Sequence, residues 1–224
     1  MSKKKIFIAV DTNKISRAKR IIKDTQTNKI KIGYKFGLEF FYSKEGRKFI
    51  SKLKNQTVFL DLKLNDIPNT IKSAIRSLKD LKISYLTVHL SSGISALKAL
   101  KKESKNIKIA GVTTLTSLNN KDLKEIGYNK KVNELVKHQV KLAKKAKLDA
   151  IVCSGHEIRL VKRVFKKEII TPGIKIHNTK NDQKRAMKPK DAFAAGSDWL
   201  VIGRSITNGN IKKNIQSLLE ILED

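Results

Sequence analysis

The sequence predicts an α/β protein, a (β/α)₈ TIM barrel closed from parallel strands. Short β-branched or apolar runs alternate with segments of helical spacing eight times over, the pattern of a parallel sheet with crossover helices. Several runs, such as Ile6-Phe-Ile-Ala-Val10 and Trp199-Leu-Val-Ile202, are almost continuously apolar, as strands buried on both faces must be. The length, 224 residues, lies within the range of this barrel. A doubly wound open sheet is the other arrangement the alternation allows. No linker, composition break or low-complexity tract divides the chain, so residues 1–224 read as a single domain.

The first run, Ile6 to Asp11, follows the basic start Met1-Ser-Lys-Lys-Lys5 and stops at an acid after five apolar residues. That is strand length and too short for an export signal. Helical spacing follows from Ser16 to Asp24. The second run, Lys29 to Gly33, ends at a glycine and precedes a helical segment from Lys44 to Leu53. The third, Thr57 to Lys63, leads into Ile67 to Leu81, whose Pro68 stands where a first turn tolerates it. Tyr85 to Leu90 is followed by Ile94 to Lys102, and Ile107 to Leu115 by Val132 to Lys147. Asp149 to Ser154 precedes Glu157 to Phe165, and Ile169 to Ile174 precedes Pro189 to Ala195. Trp199 to Gly203 and the helical Ile211 to Leu222 complete the series.

Charge is the strongest bulk feature: 49 Lys+Arg against 20 Asp+Glu give +29. Such an excess attracts nucleic acid or anionic lipid. Only eight of the basic residues are Arg, however, and no aromatic interleaves with a basic stripe as single-strand platforms require. The Lys are spread along every helical segment and read as a solvated surface, with no nucleic-acid partner expected. A basic nucleic-acid-binding barrel stays as the competing class; it requires affinity that survives near-physiological salt. The lone Cys153 permits no intramolecular disulfide, which fits a reducing cytoplasm. No window approaches the roughly 20 apolar residues of a membrane span, so the protein reads as soluble. Neither a tight zinc spacing nor Gly-x-Gly-x-x-Gly occurs.

In such a barrel, chemistry gathers at the C-terminal strand ends. Those ends supply Asp11, Lys31, Asp61 with Lys63, His89, Thr113 to Thr116, Cys153 with Ser154, Pro172 with Gly173, and Gly203 with Arg204. Strand alternation points Asp61 and Lys63 into the barrel while Leu60, Leu62 and Leu64 pack outward. Asp66 lies in the turn beyond, and Lys31, placed at the end of the second strand, adds another ammonium. An alternating Lys, Asp, Lys, Asp array is tolerable in a dry site because each charge offsets its neighbour's desolvation. A surface hairpin of alternating charge, or a structural ion pair plugging the barrel mouth, would show the same motif. Thr171-Pro-Gly-Ile174 and Ile202-Gly-Arg-Ser205 end the last two strands, where this fold recurrently binds phosphate, and Arg204 offers a bidentate fork. His89 reads as a hydrogen-bonded barrel histidine and Cys153 as a small core hydrophobe.

Along the chain stand Ala9-Val-Asp11, Lys31-Ile-Gly33, Asp61-Leu-Lys-Leu-Asn-Asp66-Ile-Pro-Asn-Thr70, Val88-His89, Val112-Thr-Thr-Leu-Thr-Ser117, Val152-Cys-Ser154, Thr171-Pro-Gly-Ile174 and Val201-Ile-Gly-Arg204. In that order and spacing the chain resembles the orotidine 5′-monophosphate (OMP) decarboxylase family nearly end to end. The resemblance implies a cofactor-free, metal-free homodimer that converts OMP to uridine 5′-monophosphate (UMP) and carbon dioxide in pyrimidine biosynthesis. It assigns Asp11 to the ribose hydroxyls and makes Lys31, Asp61, Lys63 and Asp66 a charged tetrad, with Asp66 and Thr70 supplied by the partner subunit. Thr116 falls to the pyrimidine, and Pro172, Gly203 and Arg204 to substrate binding, Arg204 at the phosphate. Where the family commonly carries Gln in the loop after the seventh strand, this chain has His177. A related barrel group, the hexulose-phosphate synthase and keto-gulonate phosphate decarboxylase enzymes, shares the Asp-x-Lys-x-x-Asp pattern but supports Mg²⁺ with a Glu on its second strand. A lysine there, assigned as Lys31, repels the cation.

Overall fold

β1 (Lys5–Ala9) pairs with β2 (Lys31–Phe36) on one side and with β8 (Trp199–Ile202) on the other, and the second pairing closes the sheet. The computed structural model describes residues 3–176 and 187–223. Between these edges run β3 (Thr57–Leu64), β4 (Tyr85–His89), β5 (Lys108–Val112), β6 (Ala150–Val152) and β7 (Glu168–Thr171), each parallel to its neighbours in chain order. The order 1 to 8 around a closed barrel excludes the open doubly wound sheet.

The described helices are α1 (Ile15–Asp24), α2 (Leu38–Tyr42), α3 (Gly46–Ser51), α4 (Pro68–Arg76), α5 (Gly93–Glu103), α6 (Asn120–Glu125), α7 (Val132–Lys145), α8 (Ile158–Val164), α9 (Pro189–Ala195), α10 (Arg204–Thr207) and α11 (Ile211–Glu223). Sequence periodicity anticipates most of them, but α2, α6 and α10 are short additions without a full turn-to-turn apolar stripe. Asn119 begins α6 with a capping box: its side chain accepts from the Lys121 and Asp122 amides, and the Asp122 carboxylate accepts from the Asn119 amide. The expected helix to Leu81 ends at Arg76.

Alternation along the strands creates two cores. Outward residues such as Ile8, Leu60, Leu86 and Ile109 meet helix residues such as Ile21, Ile71, Leu97 and Val136. Inward residues Phe7, Phe59, Tyr85, Ile170, Trp199 and Val201 fill the barrel itself. Phe7 stacks on Trp199 at 4.0 Å between ring centroids, with Phe59 4.9 Å away. This aromatic plug closes the barrel from below, so space for a ligand opens at the C-terminal strand ends.

The second strand departs from expectation in a way that matters. Gly33 does not end it: a Cβ there would lie 2.6 Å from the Phe7 ring, so the glycine serves close packing inside the barrel. The strand runs on through Tyr34-Lys35-Phe36.

Candidate active site

Asp61 and Lys63 end β3 on an irregular stretch. The β3–β4 register passes from Leu60↔Leu86 to Leu64↔Val88, so Asp61, Leu62 and Lys63 oppose Thr87 alone. Lys63 takes φ 49°, a left-handed conformation uncommon for a residue with a side chain. Its ammonium lies 2.9 Å from Asp61 Oδ2. Leu60 is buried in the outer core and Leu62 and Leu64 pack against it, as alternation anticipates.

The second ammonium of the site comes from Lys35, correcting the assignment of Lys31. Lys35 Nζ is 3.5 Å from Asp61 Oδ2 and 3.4 Å from Asp11 Oδ1. Lys31 starts β2, pairs in register with Lys5, and holds its ammonium 5.9 Å from the Trp199 ring centre at the opposite end of the barrel. Both lysines share the inward parity of their strand, four residues and about 13 Å apart. The result is a row of alternating charge across three strands: Asp11, Lys35, Asp61, Lys63.

Burial pushes the Asp61 carboxyl up, but Lys35, Lys63 and hydrogen bonds from Lys63 and Thr87 outweigh it and hold the group below its ordinary value. Burial lowers the His89 imidazole; Lys63 adds to that shift and Asp61 opposes it. Burial, reinforced by Glu157, pushes the Cys153 thiol well up, so this residue forms an inert wall. Among the described residues no group of three or more His, Cys, Asp or Glu is assembled to hold a metal ion.

Two adjoining cavities meet at this row. One, about 220 Å³, is bounded by Lys35, Asp61 and Lys63 on one side and by Thr116, Leu115, Cys153 and Phe59 among its other walls. The second, about 230 Å³, is bounded by Asp11, Gly173, Lys175, Gly203, Arg204 and Ser205. Lys35, Pro172 and Val201 line both. Gly173 takes φ 76°, which lets the loop after β7 turn over the second cavity without strain. That loop is pinned where it leaves and returns, by Lys175 N donating to Met187 O and Met187 N donating to Gly173 O.

The structure thus brings Asp11, Asp61, Lys63, Thr116, Pro172, Gly203 and Arg204 to one mouth. Asp66 and Thr70 stand apart on an exposed stretch, absent from the walls of both cavities, and Asp66 Oδ1 accepts from the Ile67 amide at 2.7 Å. His177 lies outside the described residues. Sequence reasoning missed Lys35, Thr87 and Lys175, while Leu115 lay within the candidate run Thr113 to Thr116 without a role of its own. The strand parity it shares with Lys31 is the signal that could have found Lys35, but Gly33, two residues before it, reads as the strand end.

The family model described as Orotidine 5'-phosphate decarboxylase / HUMPS family matches residues 4–215. Proteins named orotidine 5'-phosphate decarboxylase from Wolbachia pipientis and Carboxydothermus hydrogenoformans are 39% and 38% identical, covering 98% of this chain each and 99% and 96% of their own lengths. Among solved structures, orotidine 5'-phosphate decarboxylase from Lactobacillus acidophilus superposes with TM-score 0.84 at 27% identity, over 99% of this chain and 100% of that one. The fold is also that of the Methanocaldococcus jannaschii decarboxylase complexed with inhibitor BMP, at TM-score 0.79, 24% identity, and 99% and 100% coverage. With nearly its whole length matched, this chain belongs to the orotidine 5'-phosphate decarboxylase / HUMPS family.

Proposed function

We propose that the protein decarboxylates OMP to UMP and carbon dioxide, a step of de novo pyrimidine biosynthesis in the cytoplasm, without cofactor or metal. The alternating row Asp11, Lys35, Asp61, Lys63 is the observation that carries this reading. Within the family, the alternative Mg²⁺ chemistry needs acidic ligands free for a cation, whereas Lys35 sits between the two carboxylates nearest the cavity.

The pyrimidine occupies the cavity walled by Thr116, Leu115 and Phe59, the ribose hydroxyls meet Asp11, and the phosphate enters the cavity of Gly203 and Arg204. Heterolysis of the bond from C6 to the carboxylate releases carbon dioxide and leaves its electron pair on C6. That carbanion has little delocalisation, so the barrier falls through charge already in place. Lys63 stabilises it and delivers a proton to C6; the resulting neutral amine regains a proton from water. Asp61 faces the departing carboxylate, and their repulsion disappears as carbon dioxide leaves. Contacts to the distant phosphate hold the reacting geometry.

The protein acts as a homodimer in this reading, and Asp66 and Thr70 serve the partner's pocket. Their exposed position outside their own cavities supports this. The test is loss of OMP absorbance with UMP as product: turnover in EDTA, unchanged by added Mg²⁺, is expected. No turnover of OMP would reject the proposal.

A further inference from the structure

We propose that Thr87, through its hydroxyl, is the positioning residue that sets Lys63 and Asp61 for the chemistry. This rests on the decarboxylase reading for its kinetic consequences, though the geometry stands without it. Thr87 is fully buried on β4, directly opposite the irregular stretch of β3. There the regular ladder between the strands is interrupted, and the Lys63 amide donates to Thr87 Oγ1 at 2.8 Å. A hydroxyl carries one proton, and Thr87 Oγ1 donates its own to Asp61 Oδ1 at 3.1 Å. The other Asp61 oxygen accepts from the Lys63 ammonium.

A closed circuit results: Lys63 backbone to Thr87, Thr87 to Asp61, Asp61 to the Lys63 side chain. It opposes the left-handed strain at Lys63 by giving the displaced amide a buried partner. It also orients the carboxylate, so that one oxygen is taken by the hydroxyl while the other meets Lys63 and Lys35. Valine has the shape of threonine but neither accepts nor donates, so it would open the circuit at both joints. Serine preserves both joints.

The experiment compares wild type, Thr87→Val and Thr87→Ser for kcat and KM with OMP, the pH dependence of kcat, and the crystal structure of Thr87→Val. Loss of the circuit should lower kcat by about ten- to hundredfold while KM changes much less, because phosphate contacts are untouched. The acid limb of kcat should move to higher pH, since Asp61 loses a donor that favours its ionised form. Thr87→Ser should recover most of kcat, and Lys63 in Thr87→Val should leave its left-handed conformation. If Thr87→Val proves unable to fold, Thr87→Ala against Thr87→Ser makes the same comparison. Retention of wild-type kcat by a folded variant without the hydroxyl would overturn the proposal, as would equal losses in kcat and stability that serine does not restore. A wild-type protein inactive on OMP would instead reject the decarboxylase reading, and the Lys63 conformation in the variant would still decide the role of Thr87.

Discussion

The Asp61 carboxylate receives hydrogen bonds from Lys63 and Thr87 and lies against Lys35, all within 3.5 Å. Removing one member of such a buried set leaves the others uncompensated, which is why the two lysines of β2 should differ sharply. Lys35→Ala should lower kcat/KM by roughly 10²- to 10³-fold, whereas Lys31→Ala should stay within about twofold of wild type. Steady-state kinetics of the two variants checks this; equal losses would contradict the placement of Lys35. The Asp61 carboxyl titrates below its ordinary 3.8 in the folded chain. As pH falls, the unfolded chain therefore takes up this proton first, and the stabilisation present above that value is lost through the lower folded value. The stability gap between wild type and Asp61→Asn should change chiefly below about pH 4, with a smaller change where His89, which the Asp61 charge also influences, titrates below its ordinary 6.5. Urea unfolding across that range measures it, and a gap that changes mainly near pH 6 would point to another group.

At the scale of the element, β2 shows how packing overrides a local signal. A Gly33→Ala side chain would press into Phe7, whose ring is already stacked on Trp199, and onto the Thr57 carbonyl at 2.9 Å. Overpacking of this kind should cost about 1 to 3 kcal/mol, read by chemical denaturation; an unchanged midpoint would mean the plug can shift. The same glycine explains why the sequence misplaces one residue of the site. Strand ends at Asp61, Pro172 and Gly203 were legible because alternation or a turn residue marks them. The end of β2 was not, because inward parity is shared by Lys31, Gly33 and Lys35, and only the ring facing Gly33 distinguishes a packing glycine from a terminating one. Thr87 was hidden for a related reason: a threonine within an apolar strand reads as β-branched filler until the irregularity opposite it is known.

For the whole molecule, alternation in the sequence narrows the fold to a barrel or an open doubly wound sheet, and the eightfold repeat favours the barrel that the strand order shows. Subunit contributions have no such periodic signature. If Asp66 enters the partner's pocket while Lys63 serves its own, Lys63→Ala and Asp66→Ala homodimers should each be nearly inactive. Random exchange would make half of the dimers mixed, each with one intact site, so roughly a quarter of wild-type activity should return on mixing. No recovery despite demonstrated exchange would place Asp66 in its own chain's service.

The charged row is tested most directly by following OMP absorbance in EDTA with wild-type and Lys63→Ala proteins of matched circular dichroism. Wild type should turn over, and the variant should lose essentially all turnover because Lys63 is the proton donor to C6. A folded Lys63→Ala protein that keeps even about a tenth of the wild-type rate would contradict that role.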